Sequence, residues 1–445
     1  MFEKYDAYKD SGVEWIGDIP AQWSLKKISH VFRNIGSGTT PLSGSDIYYK
    51  NGSINWLQTG DLNDSYINET SKKITEKALR HYSTLKQYPK GSLVVAMYGA
   101  TIGKVGILNI DTATNQACCV LEASFGVDIK YYFYMLQGFK ADIIRMAYGG
   151  GQPNISQDTI KKLRLPFPDL SAQYEISKFL DQKTSEIDQA IAIKERQIAL
   201  LNERKQIVIQ KAVTQGLDPN VTMKDSGVEW IGQIPEHWNT ITKLKHIASL
   251  KGRQGWQGLK ADEYIDEGPY VVSSAHFDGL DINWDKCPHV SIERYKMDAH
   301  IQLNIGDILL MKDGAKMGKM AYISNLPDLA CLNSHLLLIR SLKTQDEFFF
   351  DSKYMLYFML SEKFQDYVQV KGTGTTFMGI SQESIGNFPI ALPSLEEQVQ
   401  ITSFLDKRML ELEKGKDLLL TQIEKLKEYK TTLINDAVTG KIKVA

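Results

Sequence analysis

Gly99-Ala-Thr-Ile-Gly103-Lys104 is the stretch of this chain that most invites chemistry, because glycines followed by a lysine can wrap a phosphate. A phosphate loop needs four residues between its glycines and a Ser or Thr after the lysine. Here there are three, and Val105 follows. A second copy, Gly314-Ala-Lys-Met-Gly318-Lys319, departs in the same way and is followed by Met320. The expected structure at both places is a turn between strands with its lysine exposed. Glu428-Tyr-Lys430 formally supplies the Glu-x-Lys of a nuclease, but it falls in the middle of a helical pattern and is expected to be surface decoration. The chain has no GxSxG, HExxH or GxGxxG, and no Asn-Pro-Pro-aromatic or Asp-Pro-Pro-aromatic sequence of an amino-methyltransferase. The eight histidines lack metal-ligand spacing, and Cys118, Cys119, Cys287 and Cys331 form no CxxC pair, so reduced, buried thiols and no metal site are expected.

The remaining polar chemistry lies in glycine-rich loops that carry aromatic and amide side chains. Gly36-Ser-Gly-Thr-Thr-Pro41 leads to Tyr48-Tyr49-Lys50 and Trp56-Leu-Gln58-Thr59-Gly60. Later, Lys251-Gly-Arg253-Gln254-Gly-Trp256-Gln257-Gly-Leu-Lys260 leads to Ser273-Ser274-Ala-His276. Glycine allows close approach of a backbone, and Arg, Lys, Gln, Ser and Thr can pair with base edges and phosphates. The alternative is a set of ordinary surface turns, each anchored by a half-buried Trp.

These loops are set in a frame that is written twice. Lys-Asp-Ser-Gly-Val-Glu-Trp-Ile-Gly occurs at 9–17 and again at 224–232, and each copy runs into Ile-Pro-x-x-Trp at Trp23 and Trp238. At the same offset, Gly91 to Lys104 matches Gly306 to Lys319. Each half later reaches a glycine-rich turn, an Ile-Ser pair at 155–156 or 380–381, and a Pro-bounded apolar run ending at Pro168 or Pro393. A period this long implies a duplicated domain, since solenoid repeats recur every few tens of residues. Short β-like runs such as 92–97 and 307–311, mixed with helical patterns such as 129–146, predict irregular α+β globules. The loops differ between halves while the frame agrees: Tyr98 faces Asp313, and Thr101 faces Lys316. Two scaffolds of this kind could read the two different halves of an asymmetric split sequence, where a symmetric homodimer would read a palindrome.

Residues 172–214 and 397–439 contain no proline and read as long helices. A seam with 3–4 spacing runs through Ile176, Leu180, Ile187, Ile191, Ile198, Leu201 and Val208, with Lys183, Lys194 and Lys205 in the same frame. The matching seam is Ile401, Leu405, Leu412, Leu419, Ile423, Leu426 and Leu433. A stutter falls at the same place in both, so the helices are expected to pair as a coiled coil; the alternative is an amphipathic helix packed only on its own globule. Each would span roughly 60 Å. Because Ala212-Val-Thr at the end of the first helix matches Ala437-Val-Thr at the end of the second, a pseudo-circular layout is predicted, with a pseudo-two-fold axis, antiparallel helices, and the C-terminus near the N-terminus. The expected segments are globules at 1–170 and 217–394 and spacer helices at 171–216 and 395–445.

With 445 residues, 43% hydrophobic and 24% charged, the chain is long enough for two to four folded domains. It shows no signal-peptide pattern and no apolar run of membrane-spanning length, so a cytoplasmic protein is expected. The formal net charge of −1 argues against a nonspecific nucleic-acid coat but leaves a local basic face possible.

These words in this order, Lys-Asp-Ser-Gly-Val-Glu-Trp-Ile-Gly twice, Ser37-Gly-Thr-Thr-Pro41, Ile54-Asn-Trp-Leu-Gln-Thr-Gly-Asp-Leu62, Ala96-Met-Tyr-Gly-Ala-Thr-Ile-Gly-Lys-Val-Gly106 and Pro393-Ser-Leu-Glu-Glu-Gln398, resemble the specificity subunits of type I restriction–modification systems across nearly the whole chain. The resemblance implies a noncatalytic DNA-reading scaffold whose globules are target recognition domains and whose helices set the spacing and dock modification subunits. It further implies two modification subunits that bind S-adenosylmethionine and methylate adenine N6, and two motor-nuclease subunits that use ATP and Mg. The rival reading is a coiled-coil adaptor with protein- or carbohydrate-binding globules and no DNA role; a self-sufficient nuclease is a third. The candidate DNA-contacting residues are Thr39, Thr40, Tyr48, Gln58, Thr101, Lys104, Gln116 and Gln152 in the first globule. In the second they are Arg253, Gln254, Trp256, Lys260, Ser274, His276, Lys316, Lys319 and Thr375. The repeated nonapeptide is assigned to the frame, with Val, Trp and Ile pinning the junction and Pro20 and Pro235 stopping helix continuation; a minor alternative has Lys9-Asp10 and Lys224-Asp225 touching a modification subunit.

Overall fold

The structure, a computed structural model, describes residues 2–147, 154–229, 231–238, 240–252, 259–297, 299–344, 347–374 and 378–444. The chain divides into two compact units, Met1–Glu195 with Leu420–Ala445, and Arg196–Leu419. This grouping differs from four consecutive segments. Each unit takes one globule, the first part of that globule's long helix, and the last part of the other long helix. The reason is that helix ends bury their apolar residues in the globule cores.

In the first unit, a five-stranded sheet has the order Phe32–Gly36, Cys118–Ala123, Leu93–Ala96, Val105–Leu108, Ser65–Ile67. A four-stranded sheet has the order Lys72–Ile74, Ile54–Leu57, Thr112–Thr114, Gln87–Tyr88. The strands Leu93–Ala96 and Cys118–Leu121 are apolar without alternation because both faces are covered. Leu93, Val95, Cys119 and Leu121 join the core that includes the helix Ile129–Gly138. Val94, Ala96, Cys118 and Val120 face Leu57, Leu62 and Tyr88 on the other side. Burial pushes the Cys119 thiol up to about 12 and the Cys118 thiol up as well, so both stay protonated and unreactive.

The second unit repeats the plan. The order Ala248–Gly252, Leu336–Ser341, Ile308–Met311, Met320–Tyr322 forms its larger sheet, and His289–Val290, Tyr264–Val272, Ala330–Leu332 forms the smaller. Leu337 and Ile339 pack toward the helix Ser352–Leu360, while Leu336 and Leu338 pack toward the smaller sheet.

Both copies of the nonapeptide form the start of a β-hairpin. Tyr8–Asp10 pairs with Asp18–Pro20, and Met223–Asp225 with Gln233–Pro235. Asp10 and Asp225 accept from the N–H of Gly12 and Gly227 at 2.8 and 3.0 Å, and those glycines take φ of 67° and 70°. Ile16 is buried and Trp15 stacks edge-on against Phe139. Pro20 and Pro235 therefore close a strand; they do not halt a helix.

The long helices run over Leu170–Gln215 and Leu395–Val438. They are antiparallel within each unit. In the first unit Lys430 Nζ donates to both carboxylate oxygens of Asp188 at 2.7 Å, and Lys194 Nζ donates to Gln422 Oε1 at 2.6 Å. In the second, Lys205 lies 3.9 Å from Glu413. Ile187, Ile423 and Leu433 are buried, while Ile191, Ile198, Leu201, Val208, Leu412, Leu419 and Leu426 are half-buried along the seam. Ile176, Leu180, Ile401 and Leu405, the first seam positions of each helix, sit within the globule cores. Ile209, Val213, Ile434 and Val438 are buried next to the predicted seam, because a 3.6-residue helix drifts off a 3.5-residue repeat and the globule covers the flank it exposes.

The same hydrogen bonds fasten both globules to their helices. Asp128 accepts from Lys130 N–H and Ser177 Oγ, and Asp351 accepts from Tyr354 N–H and Thr402 Oγ1. Asp181 takes Lys130 and Tyr134, and Asp406 takes Lys353 and Tyr357. The chain's far end returns to its beginning within the first unit: Lys443 N–H donates to Glu3 O, and Tyr8 OH donates to Gly440 O at 3.0 Å.

Candidate nucleic-acid interface

The glycine-lysine stretches are turns between antiparallel strands. In the first, Lys104 N–H donates to Thr101 O and Ala96 N–H donates to Lys104 O; in the second, Lys319 and Met311 make the same two bonds. Gly99, Gly103, Gly314 and Gly318 all have positive φ. In both turns the backbone N–H of the lysine is used within the turn itself. The Glu-x-Lys lysine, Lys430, is consumed by Asp188, and Glu428 pairs with Lys425. Among the described residues no group of His, Cys, Asp and Glu could hold a metal, and no helix is long and apolar enough to cross a membrane.

Four loops of the first unit converge at one end of its sheets. Gly38 N–H donates to Asn115 O and Thr114 Oγ1, Asn115 N–H donates to Leu57 O, and Met97 N–H donates to Ala117 O. These bonds bring together the loops holding Thr39-Thr40, Gln58, Gln116, and Tyr98 to Thr101. Thr40 Oγ1 lies 2.7 Å from Gln116 Oε1, and both residues are exposed. Thr39 contributes its carbonyl, which accepts from Trp56 Nε1 at 3.3 Å and pins the loop to the sheet. A cleft of about 460 Å³ opens between Thr40, Gln58, Ser43 to Asp46 and the strand pair Lys72-Lys73. Tyr48 does not reach it: its ring packs edge-on against Tyr82, whose hydroxyl accepts from Leu42 N–H, so Tyr48 supports the loop. Lys104 ends its turn, its N–H donating to Thr101 O and its carbonyl accepting from Ala96 N–H, and it is not among the residues lining the cleft. Asn154 pairs with Tyr98; Gln152 lies outside the described residues.

In the second unit the equivalent sheet end carries Gly252, Lys312 to Lys316 and Asn333 to His335. Gly252 pairs with Leu337, Lys312 N–H donates to His335 O, and Asn333 N–H donates to Val272 O. Lys316 is exposed there, whereas Lys319 is drawn back, its Nζ 3.5 Å from Phe277 O. Gln58 to Asp61 and Ser273 to His276 are equivalent capped turns: Asp61 accepts from Gln58 N–H at 2.9 Å, and His276 Nδ1 accepts from Ser273 N–H at 3.1 Å. Burial lowers the His276 pKa, which suits a ring that must keep Nδ1 unprotonated. Ser274 lies half-buried inside that turn, and Lys260 caps an exposed turn with Glu263. Arg253, Gln254, Trp256 and Thr375 lie outside the described residues.

Several groups at these loop clusters are not among the candidate contacts: Tyr98, 42% exposed, and the exposed Lys72 and Lys73 in the first unit, and the half-buried Lys312 and the pair of exposed His335 with half-buried Asp313 (2.8 Å) in the second. Tyr98 and Asp313 could have been found, since they differ at a position where the flanking repeat agrees. Lys72-Lys73 carries no comparable sign, because its exposure follows from lying in an edge strand.

Two α+β units with repeated cores and dissimilar loop ends, each built on antiparallel long helices, define a duplicated two-unit scaffold. The family model for the type I restriction modification DNA specificity domain matches twice, over residues 20–203 and 235–422, and the chain belongs to that family. It is 23% identical over 431 residues to the type I restriction enzyme MjaVIII specificity subunit of Methanocaldococcus jannaschii, covering 96% of this chain and 94% of that protein. It is 26% identical over 444 residues to the MjaIX specificity subunit of the same organism, covering 96% and 95%. Among solved structures, the crystal structure of the HsdS subunit from Thermoanaerobacter tengcongensis aligns at TM-score 0.52 and 14% identity, covering 95% of this chain and 98% of that one. A chain of the structure described as "Structural basis underlying complex assembly and conformational transition of the type I R-M system" aligns at 0.69 and 15%, covering 94% and 98%. The family membership supports a DNA-specificity role, and nothing supports the adaptor without DNA.

Proposed function

We propose that this chain is the reading subunit of a type I complex in which each unit recognises one half of an asymmetric, bipartite DNA target. The observation that carries this reading is the contrast between the units: identical fastening of globule to helix, and different side chains on the equivalent loop ends, Thr40, Gln58, Tyr98 and Gln116 against Lys312, Lys316, Ser274 and His335. A repeated mount with unlike contact residues is what two unlike half-sites require. In this reading, residues 1–170 and 217–394 are target recognition domains, and the segments 171–216 and 395–445 carry the spacer helices, the second of which ends at Val438. The partners are double-stranded DNA, two modification subunits that carry S-adenosylmethionine and methylate adenine, and two restriction subunits that use ATP and Mg; the chain works where the chromosome is, in the cytoplasm, and supplies no catalytic group.

The experiment is methylation mapping of host DNA with and without this chain. A bipartite adenine-methylated motif that disappears on deletion supports the reading. A methylome that is unchanged removes its main claim.

A further inference from the structure

We infer that the cleft of the first unit seats a phosphate of the DNA backbone between the Lys72-Lys73 strand and the Ser43-Gly44 turn, supplying sequence-independent affinity beside the loops that carry Gln58 and Gln116. This rests on the reading of the chain as a DNA-recognition subunit.

The cleft of about 460 Å³ holds a ligand larger than a water molecule, and its lining determines which kind. Lys72 and Lys73 are both exposed, and among the described residues neither has a carboxylate in ion-pair range. Their strand, Lys72–Ile74, is held at the sheet edge by pairing of Lys72 with Trp56 and Lys73 with Asn55. Opposite them, Gly44 takes φ of 78° with open space where a Cβ would stand. Among the described residues, neither Ser43 N–H nor Gly44 N–H has an intramolecular acceptor. Successive N–H groups at a left-handed turn form a concavity suited to anions. The one carboxylate in the lining, Asp46, is already paired with Lys50 at 3.2 Å.

The aromatic residues argue against a base as the occupant. Stacking needs an open ring face. Trp56 is 1% exposed and its Nε1 is used by Thr39; Tyr49 packs edge-on against Trp56 and spends its hydroxyl on Pro41 O. What remains open is two ammonium groups, hydroxyls and backbone N–H groups. That set matches a phosphodiester. Since Thr40 and Gln58 line the same cleft, a phosphate held there leaves the neighbouring bases facing Gln58 and the Thr40–Gln116 pair.

The test uses the full chain assembled with its modification subunits and a duplex carrying the methylated motif. The K72Q/K73Q double variant keeps side-chain length and removes two charges from exposed positions. Losing two phosphate contacts makes the slope of log affinity against log salt shallower by about 1.8, so that between 50 and 200 mM salt the variant loses about twelvefold less affinity than wild type. The methylated motif stays the same, and K72R/K73R restores the slope. An unchanged slope, or a changed motif, overturns the inference. Wild type that shows no sequence-selective binding would instead sink the DNA-reading function itself, an outcome seen before either variant is examined.

Discussion

The hydroxyl of Tyr131 donates to the backbone carbonyl of Val438 at 3.0 Å, across 307 positions of sequence, and seals the last turn of the second long helix inside the first unit's core. Its counterpart, Tyr354 OH to Val213 O at 3.1 Å, does the same for the first long helix inside the second unit. A helix end leaves its last carbonyls without partners, and a buried one needs a donor. Next to each bond is a glycine where a side chain would collide or crowd: a Cβ on Gly440 would lie 2.4 Å from Pro20, and one on Gly216 would lie 3.1 Å from Glu397. Each globule therefore completes its core with the end of a helix that begins in the other half of the sequence. This explains why the nonapeptide recurs where it does: its hairpin carries Pro20 or Pro235 to the place where that helix end arrives.

Tyr131→Phe removes a donor from a buried carbonyl and should destabilise the protein by about 1–2 kcal/mol, read as a lower urea midpoint with an unchanged denaturant slope. Tyr354→Phe should cost a similar amount. Since the two bonds share no partner, the double variant should lose about the sum. A neutral Tyr131→Phe would show that packing alone holds the helix end.

Stability should fall in alkali. Burial holds the Tyr131 and Tyr354 hydroxyls well above the usual tyrosine range and raises Tyr88 to about 12. Lys130 and Lys353 are raised as well, by hydrogen bonds to Asp181 and Asp406. For every one of these groups the folded state binds the proton more tightly than the unfolded chain. Their contribution is complete below about pH 10 and is lost as pH rises past it. Urea unfolding from pH 9 to 12 should show a monotonic decline that is shallower in the Tyr131→Phe, Tyr354→Phe double variant. A midpoint rising across that range would contradict the assignment.

Gly38→Ala should disable the first unit's loop end while sparing its core. A Cβ there would stand 1.7 Å from Thr114 O, a backbone atom that cannot yield, so the loop bearing Thr39 and Thr40 must move. Sequence-selective binding should drop at least about tenfold, equivalent to about 1.4 kcal/mol. Gly60→Ala meets nothing within 4 Å and should match wild type in thermal unfolding. Equal binding by Gly38→Ala and wild type would remove this loop from the interface.

The parts of the molecule legible in the sequence are those governed by repetition and periodicity. The proline-free runs 172–214 and 397–439 lie within two residues of the ends of the long helices, although the spacer segment expected to run to 445 stops being helical at Val438, and the seam lysines Lys194 and Lys205 face Gln422 and Glu413 as an antiparallel pairing requires. The return of the C-terminus to the first hairpin followed from matching Ala212-Val-Thr with Ala437-Val-Thr. Less was legible where tertiary neighbours decide. Pro20 looks like a helix stop but ends a strand, because Tyr8–Asp10 is there to pair with it. Tyr48 looks like a surface aromatic, yet it braces Tyr82. Lys72 and Lys73 gain their meaning from the cleft opposite, which no local pattern announces.

The central claim, that the two units read two different half-sites independently, is tested most directly by mapping methylated adenines in cells carrying Gln116→Ala. Gln116 sits at the convergence of the first unit's loops, exposed and paired with Thr40, and nothing in the core depends on it. The account predicts a bipartite motif in which one half becomes degenerate at one position while the other half and the spacing stay as in wild type. A motif changed in both halves, or in neither, would contradict it.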